Sequence, residues 1–210
     1  MSTILDKLSW RYATKKFDNS KKVSKEDLNT ILEAARLTPS SYGLQPYHIL
    51  AIEDNNIKAK LRKVSFDQPQ ITDASYIIVL ANKPTFDGNM VDDYIDNIIE
   101  TRGVSSKDVE GFSQMMKSSL LDLPDVQKNA WTTSQAYIIL GNIMTIAAEM
   151  KIDTCPLEGF DKNQYNEILG LNDKNLNAAV VLAIGYRSAD DATQNYPKVR
   201  YSREQIITHI

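Results

Sequence analysis

Apolar residues recur in this chain at helical spacing in some stretches and in unbroken runs in others, which predicts helices and strands in mixed order. Ile4, Leu5, Leu8 and Tyr12 share one helical face after a polar start, so a short helix should deliver Arg11 at its end, with Trp10 off the stripe. Ser24, ahead of Lys25, Glu26 and Asp27, caps a second helix whose apolar positions are Leu28, Ile31, Leu32 and Ala35. That helix must stop near Thr38, because Pro39 disfavours helical backbone in the residue before it. Residues 47–52 and 76–81 read as buried strands, rich in β-branched and aromatic side chains. Val91, Tyr94, Ile95, Ile98 and Ile99 mark an amphipathic helix ending at Gly103. Residues 131–150 are apolar on most faces, as expected of a helix buried in a core and in a subunit interface. Asp161 caps a helix over residues 162–169 that Gly170 closes, and residues 178–185 form a last buried strand. The final two dozen residues carry turn and charge signals without periodicity; such a tail either frays or wraps around something.

Composition bounds the answer from outside. With 42% hydrophobic and 24% charged residues, 210 residues can bury a sizeable core, and no linker or repeat divides them, so residues 1–210 read as one domain. A net charge of -3 gives no basic footprint for nucleic acid. Cys155 stands alone, which excludes an internal disulfide, and His48 and His209 offer no metal cluster. The start, Met-Ser-Thr-Ile-Leu-Asp-Lys, meets an acidic residue before any apolar run and does not read as a secretory signal. The longest apolar stretches, 137–148 and 178–186, fall short of the roughly 20 residues that span a bilayer. No membrane attachment and a cytoplasmic address are therefore expected by default. No two of the eight glycines stand two apart, so there is neither a dinucleotide fingerprint nor a phosphate-binding glycine loop.

The candidate chemistry lies in short polar motifs. Arg11, Lys198 and Arg200 are cations far apart in sequence; they suit a phosphate, which Arg can hold in a bidentate fork, or else they are solvated surface charges. Ser40 and Ser41, with Pro39 before and Gly43 and Gln45 after, sit between a helix end and a strand, where they form either a plain turn or a polar contact for a ligand's edge. Glu158 and Gly159 follow Pro156 and precede a capped helix, and Asp67 and Gln70 flank Pro69 in a polar loop. Cys155 reads as a small buried residue, since no second cysteine could resolve it.

Taken in order, Arg11-Tyr12-Ala13-Thr14-Lys15, Pro39-Ser40-Ser41-Tyr42-Gly43-Leu44-Gln45-Pro46, Asp67-Gln68-Pro69-Gln70, Pro156-Leu157-Glu158-Gly159-Phe160 and Pro197-Lys198-Val199-Arg200 resemble the FMN site of the nitroreductase family over nearly the whole chain. The resemblance implies an α+β fold, with a central mixed sheet flanked by helices and a C-terminal tail that embraces a partner subunit. It implies a homodimer with tightly bound FMN at the interface and NAD(P)H as electron-donating co-substrate. Hydride would pass by ping-pong through flavin N5 to nitroaromatics, quinones or related electrophiles, small-molecule acceptors all.

The same resemblance distributes roles. Arg11, Lys198 and Arg200 would hold the phosphate, and Lys15, with Lys16 as understudy, would reach the pyrimidine side of the ring. Tyr12 would contribute backbone, while Ala13 replaces the serine common there. Pro39, Ser40, Ser41, Gly43 and Gln45 would come from the second subunit, and Asp67 and Gln70 would meet the ribityl chain. Pro156, Glu158 and Gly159 would set backbone N–H groups against N5, so Lys15, Glu158 and Gly159 are the catalytic candidates. Met115 and Met116 either cover the flavin face or pack the core. The alternatives are a flavoenzyme of other chemistry on this fold, a reductive dehalogenase or flavin-fragmenting relative, and a flavin-binding module without turnover.

Overall fold

A computed structural model describes residues 3–210; the first two residues lie outside the described ones. Nine helices and four strands follow in the described chain: α1 Ile4–Trp10, α2 Lys25–Arg36, β1 Tyr47–Ile52, α3 Asn55–Lys63, α4 Gln70–Asp73, β2 Tyr76–Asn82, α5 Gly88–Arg102, α6 Ser106–Leu120, α7 Asp125–Glu149, β3 Asp153–Leu157, α8 Lys162–Leu169, β4 Asn177–Gly185 and α9 Arg203–Ile206. The strands form one sheet in the order β1-β2-β4-β3.

Both faces of that sheet are covered, which explains why β2 is buried at every position. Side chains alternate across a strand. Ile77, Val79, Val181 and Ala183 therefore pack with Leu61 of α3, Ile71 of α4 and Tyr165 of α8. Ile78, Leu80, Val180 and Leu182 pack with Ile31 of α2 and Ile139, Ile143 and Ala147 of α7 on the other face. A third cluster joins α5 and α6, and there Met116 is fully buried while Met115 faces out.

The capped helices form where the sequence places them. Asp161 accepts from the Gln164 N–H at the start of α8, and Gly170 ends it in the left-handed region; Ser24 and Gly103 do the same work for α2 and α5. Three expectations change. The sheet is antiparallel at every strand pair rather than mixed, and the one parallel pairing among the described residues is the isolated bridge from Ala13 to Thr154, in a segment too short to become a strand. Helix α1 stops at Trp10, so Arg11 is extended and Tyr12 is not on the helical stripe. That stripe also faces outward: Leu5 is 68% exposed, and the buried position is Lys7, whose Nζ donates to the Glu149 carbonyl at 2.8 Å. Among the described residues no helix is long and apolar enough to cross a membrane.

Candidate functional site

The segment after α1 runs along the edge strand β3. The Thr14 N–H donates to the Thr154 carbonyl at 3.2 Å, and Phe17 bridges Arg187 beyond β4. This path sets Arg11 against the returning tail. Arg11, Ala13, Pro156, Lys198 and Arg200 line a cleft of about 430 Å³. Lys198 Nζ donates to the Leu8 carbonyl at 2.6 Å and also to that of Arg11, so a residue near the chain's end closes the C-terminus of its first helix. Cations suit that end of a helix.

The cleft is electropositive. Burial and then the charge of Arg200 hold the Arg11 guanidinium below its ordinary range, against a smaller opposite effect of Cys155. Burial, Arg11 and Arg200 do the same to Lys198. Among the described residues no carboxylate pairs with any of the three. Arg11 Nε is buried without a hydrogen-bond partner. Such an arrangement is costly until an anion completes it; a phosphate group has the charge and the acceptor count to do so.

A second set of groups gathers at β3. Burial raises the Cys155 thiol, while the charges of Lys15 and Arg11 lower it, so both cations act on the same strand. Gln70 is 6% exposed and its Oε1 has no partner. Beyond the strand end, the Gly159 carbonyl accepts from Gln68 Nε2 at 2.8 Å, while the N–H groups of Glu158 and Gly159 make no hydrogen bond within the described chain. A Cβ on Gly159 would lie 3.4 Å from both the Phe66 ring and Gln68 Nε2, in close van der Waals contact with them. Tyr137 of α7 donates to the Glu158 carboxylate at 2.5 Å.

A profile described as Nitroreductase family matches residues 8–186. Over 99% of the chain and 97% of the relative, it is 34% identical to a Staphylococcus epidermidis protein provisionally named an NAD(P)H nitroreductase. The chain belongs to the nitroreductase family. Solved structures share the fold: one from Bacillus subtilis superposes with a TM-score of 0.87 at 20% identity, covering 98% of each chain. Another, from Exiguobacterium sibiricum and solved in complex with FMN, gives 0.83 at 24% identity over 100% of this chain and 98% of that one.

Within this family member, the structure brings some expected residues together and leaves others apart. Arg11, Tyr12, Ala13, Pro156, Lys198 and Arg200 meet at the cleft. Lys15 belongs to the segment along β3, Gln70 of α4 reaches Cys155 of that strand, and Glu158 and Gly159 lie just past its end. The 39–45 loop lines no part of that cleft. Its Ser41 N–H donates to Gln135 Oε1 on α7 at 2.8 Å, its Ser40 Oγ accepts from the Gln45 N–H, and Gln45 Nε2 caps the Arg36 carbonyl of α2. Tyr42, Gly43 and Gln45 all adopt positive φ there. Asp67 is committed elsewhere: consecutive left-handed residues at 66 and 67 turn it outward, where its carboxylate meets Arg62 Nε at 2.8 Å.

The Tyr12 side chain is engaged within the chain: its hydroxyl donates to Asp191 Oδ2 at 2.9 Å. Arg187 stacks between the rings of Tyr12 and Trp10, 4.5 and 4.2 Å from their centroids, and pairs with the buried Asp153 through Nε at 2.8 Å. Asp153, Arg187 and Asp191 carry no local sequence signal beyond the Asp-x-Thr turn at 191–193.

Proposed function

We propose that this chain is an FMN-dependent NAD(P)H oxidoreductase of the nitroreductase type. The observation that carries the reading is the convergence of Arg11, Lys198 and Arg200 on one cleft with a buried guanidinium nitrogen unspent. That donor set fits a single terminal phosphate. The FMN complex of the Exiguobacterium relative and the NAD(P)H nitroreductase name of the staphylococcal one support the same cofactor and donor. When bound, FMN supplies hydride transfer between a nicotinamide and an electron-poor acceptor.

The chain's own residues bind and tune. Arg11, Lys198 and Arg200 hold the phosphate, and Gln70 offers a buried acceptor for a ribityl hydroxyl. Lys15 supplies a positive charge near the ring, and the free N–H groups of Glu158 and Gly159 supply neutral donors that need no particular side chain. As the likeness to the nitroreductase family implies, NAD(P)H and the acceptor take turns in one place, a ping-pong order. Nitroaromatics, quinones and related electrophiles are the acceptor class. The enzyme is a cytoplasmic homodimer in this reading, the partner supplying residues 39–45 to each site.

Heat release and chromatography of the bound flavin test this directly, followed by bleaching of the holoprotein with NAD(P)H and reoxidation with a quinone. FMN and full cycling are expected. Recovery of mainly FAD, or of no flavin after reconstitution, overturns the reading, and FMN without bleaching makes the chain a binding module.

A further inference from the structure

Asp191 is 2% exposed, and no cation among the described residues pairs with it. A buried carboxylate without a counterion is expensive unless hydrogen bonds surround it. Here they come from the 12–16 segment and from Thr193. Oδ2 accepts from the Lys15 N–H at 2.8 Å, the Lys16 N–H at 3.1 Å and the Tyr12 hydroxyl at 2.9 Å. Oδ1 accepts from the Thr193 N–H at 3.0 Å, which starts the 192–195 turn that leads to Pro197, Lys198 and Arg200.

The donors are not a random sample of the surroundings. One is Lys15 itself, one is its neighbour, and one is the residue after Arg11. The fourth fixes the turn from which the other two cleft cations depart. Burial alone would raise the Asp191 carboxyl, yet the N–H groups of Lys15 and Lys16, the Tyr12 hydroxyl and the Thr193 N–H hold it below its usual range, so it stays ionised. Asp153 is the contrast: equally buried at 4% exposure, it is paired to Arg187 through the Arg187 N–H and Nε and touches none of the cleft cations.

We propose that Asp191 is a positioning residue that fixes the ring-side lysine and the phosphate-side cations in one frame, so that cofactor affinity and flavin potential depend on it together. The proposal rests on the FMN reading above. Its mechanism is geometric, since Asp191 touches backbone and Tyr12 rather than the ligand.

The sign of one measurement separates this from a bystander charge. Asp191→Asn keeps the shape, but its amide has a single acceptor oxygen, so its NH2 must face either the Thr193 N–H or the three donors on Oδ2. If Asp191 positions Lys15, the substitution lets that charge drift and the flavin midpoint potential falls, the same direction expected on removing the Lys15 charge itself. If Asp191 merely adds a negative charge nearby, removing it makes the anionic reduced form easier to reach and the potential rises. The experiment is a spectroscopic redox titration and an FMN fluorescence-quenching titration on folded wild type, Asp191→Asn, Tyr12→Phe and Asp153→Asn, with circular dichroism and thermal melts as folding controls. Expected are FMN binding at least ten-fold weaker and a lower potential in Asp191→Asn, and a smaller change of the same sign in Tyr12→Phe. Asp153→Asn should lower the melting temperature while keeping the wild-type potential.

An unchanged or raised potential in Asp191→Asn, with wild-type FMN affinity, overturns the proposal and leaves Asp191 a fold staple. Should Asp191→Asn fail to fold, Tyr12→Phe decides, because it removes one donor and keeps the carboxylate. A wild type that takes up no FMN removes the functional reading and this proposal with it, whereas FMN binding that is indifferent to both variants removes this proposal alone.

Discussion

The hydroxyl of Tyr137, midway along α7, lies 2.5 Å from Oε1 of Glu158, just past the end of β3, and so ties the longest helix to the loop that carries two free backbone donors. Burial, and then the Glu158 acceptor, push the Tyr137 phenol up to about 12. The sign follows from the neutral form being the bonded one. The contribution of the pair is complete below the ordinary tyrosine value of about 10 and is lost as pH rises from there through the folded value. Ultraviolet titration of wild type against Tyr137→Phe should show the difference spectrum growing in near pH 12 and not near 10. Early growth near 10 would mean the hydroxyl is free in solution.

The two cation groups should separate by experiment. Losing a charged hydrogen-bond donor costs about 1.5 to 3 kcal/mol, so Arg11→Ala or Arg200→Ala should weaken FMN binding roughly ten-fold to a hundred-fold. Lys15→Ala should instead slow reduction by NAD(P)H and lower the flavin potential, with a smaller loss of affinity. Full affinity in Arg200→Ala together with an unchanged potential in Lys15→Ala would falsify both roles.

Subunit association is expected from the apolar surface left open. Leu5 and Ile4 on α1, Ile138 on α7 and the tail residues Val199, Tyr201 and Ile206 are all exposed in the single chain. Sedimentation equilibrium at low micromolar concentration should give roughly twice 23.7 kDa. Leu5→Glu together with Ile138→Glu should shift the population toward monomer and loosen FMN, since the 39–45 loop would then have no second site to reach. A tight FMN-binding monomer would contradict the shared site.

Gly43 is held at φ +83, and a Cβ there would sit 2.2 Å from the Tyr94 hydroxyl oxygen. Strain and clash add, so Gly43→Ala should cost about 1 to 3 kcal/mol in urea denaturation. Adding Tyr94→Phe removes the closest atom and should restore part of that loss. Equal stability of wild type and Gly43→Ala would show that the loop relaxes freely.

Much of this was legible in the sequence where the cause is local. Ser24, Asp161, Gly103 and Gly170 mark helix ends because caps act within one turn, and β2 and β4 show as unbroken apolar runs because both their faces are covered. Strand β3 was not legible: it is five residues long, contains Asp153, Thr154 and Pro156, and tolerates the proline because it lies at the sheet edge. Antiparallel pairing throughout was equally hidden, since a buried run looks the same in either direction. For α1 the periodic stripe was real, but its apolar side chains face outward in the single chain, so the pattern gave the helix and misplaced Tyr12. The cleft cations were found through family motifs. Asp191, Asp153 and Arg187 were not, because each acquires its meaning only from a contact with residues far away in sequence.

Lys198 closes the Leu8 carbonyl of α1 and the Arg11 carbonyl just after it, from 190 and 187 residues away. A ribosome therefore releases the whole sheet and every helix that packs on it before it releases the group that completes the cleft. On the FMN reading, a nascent chain can reach its folded core before the residues proposed to hold the phosphate have emerged. Chains that terminate early at residue 197 should accumulate as folded, colourless protein.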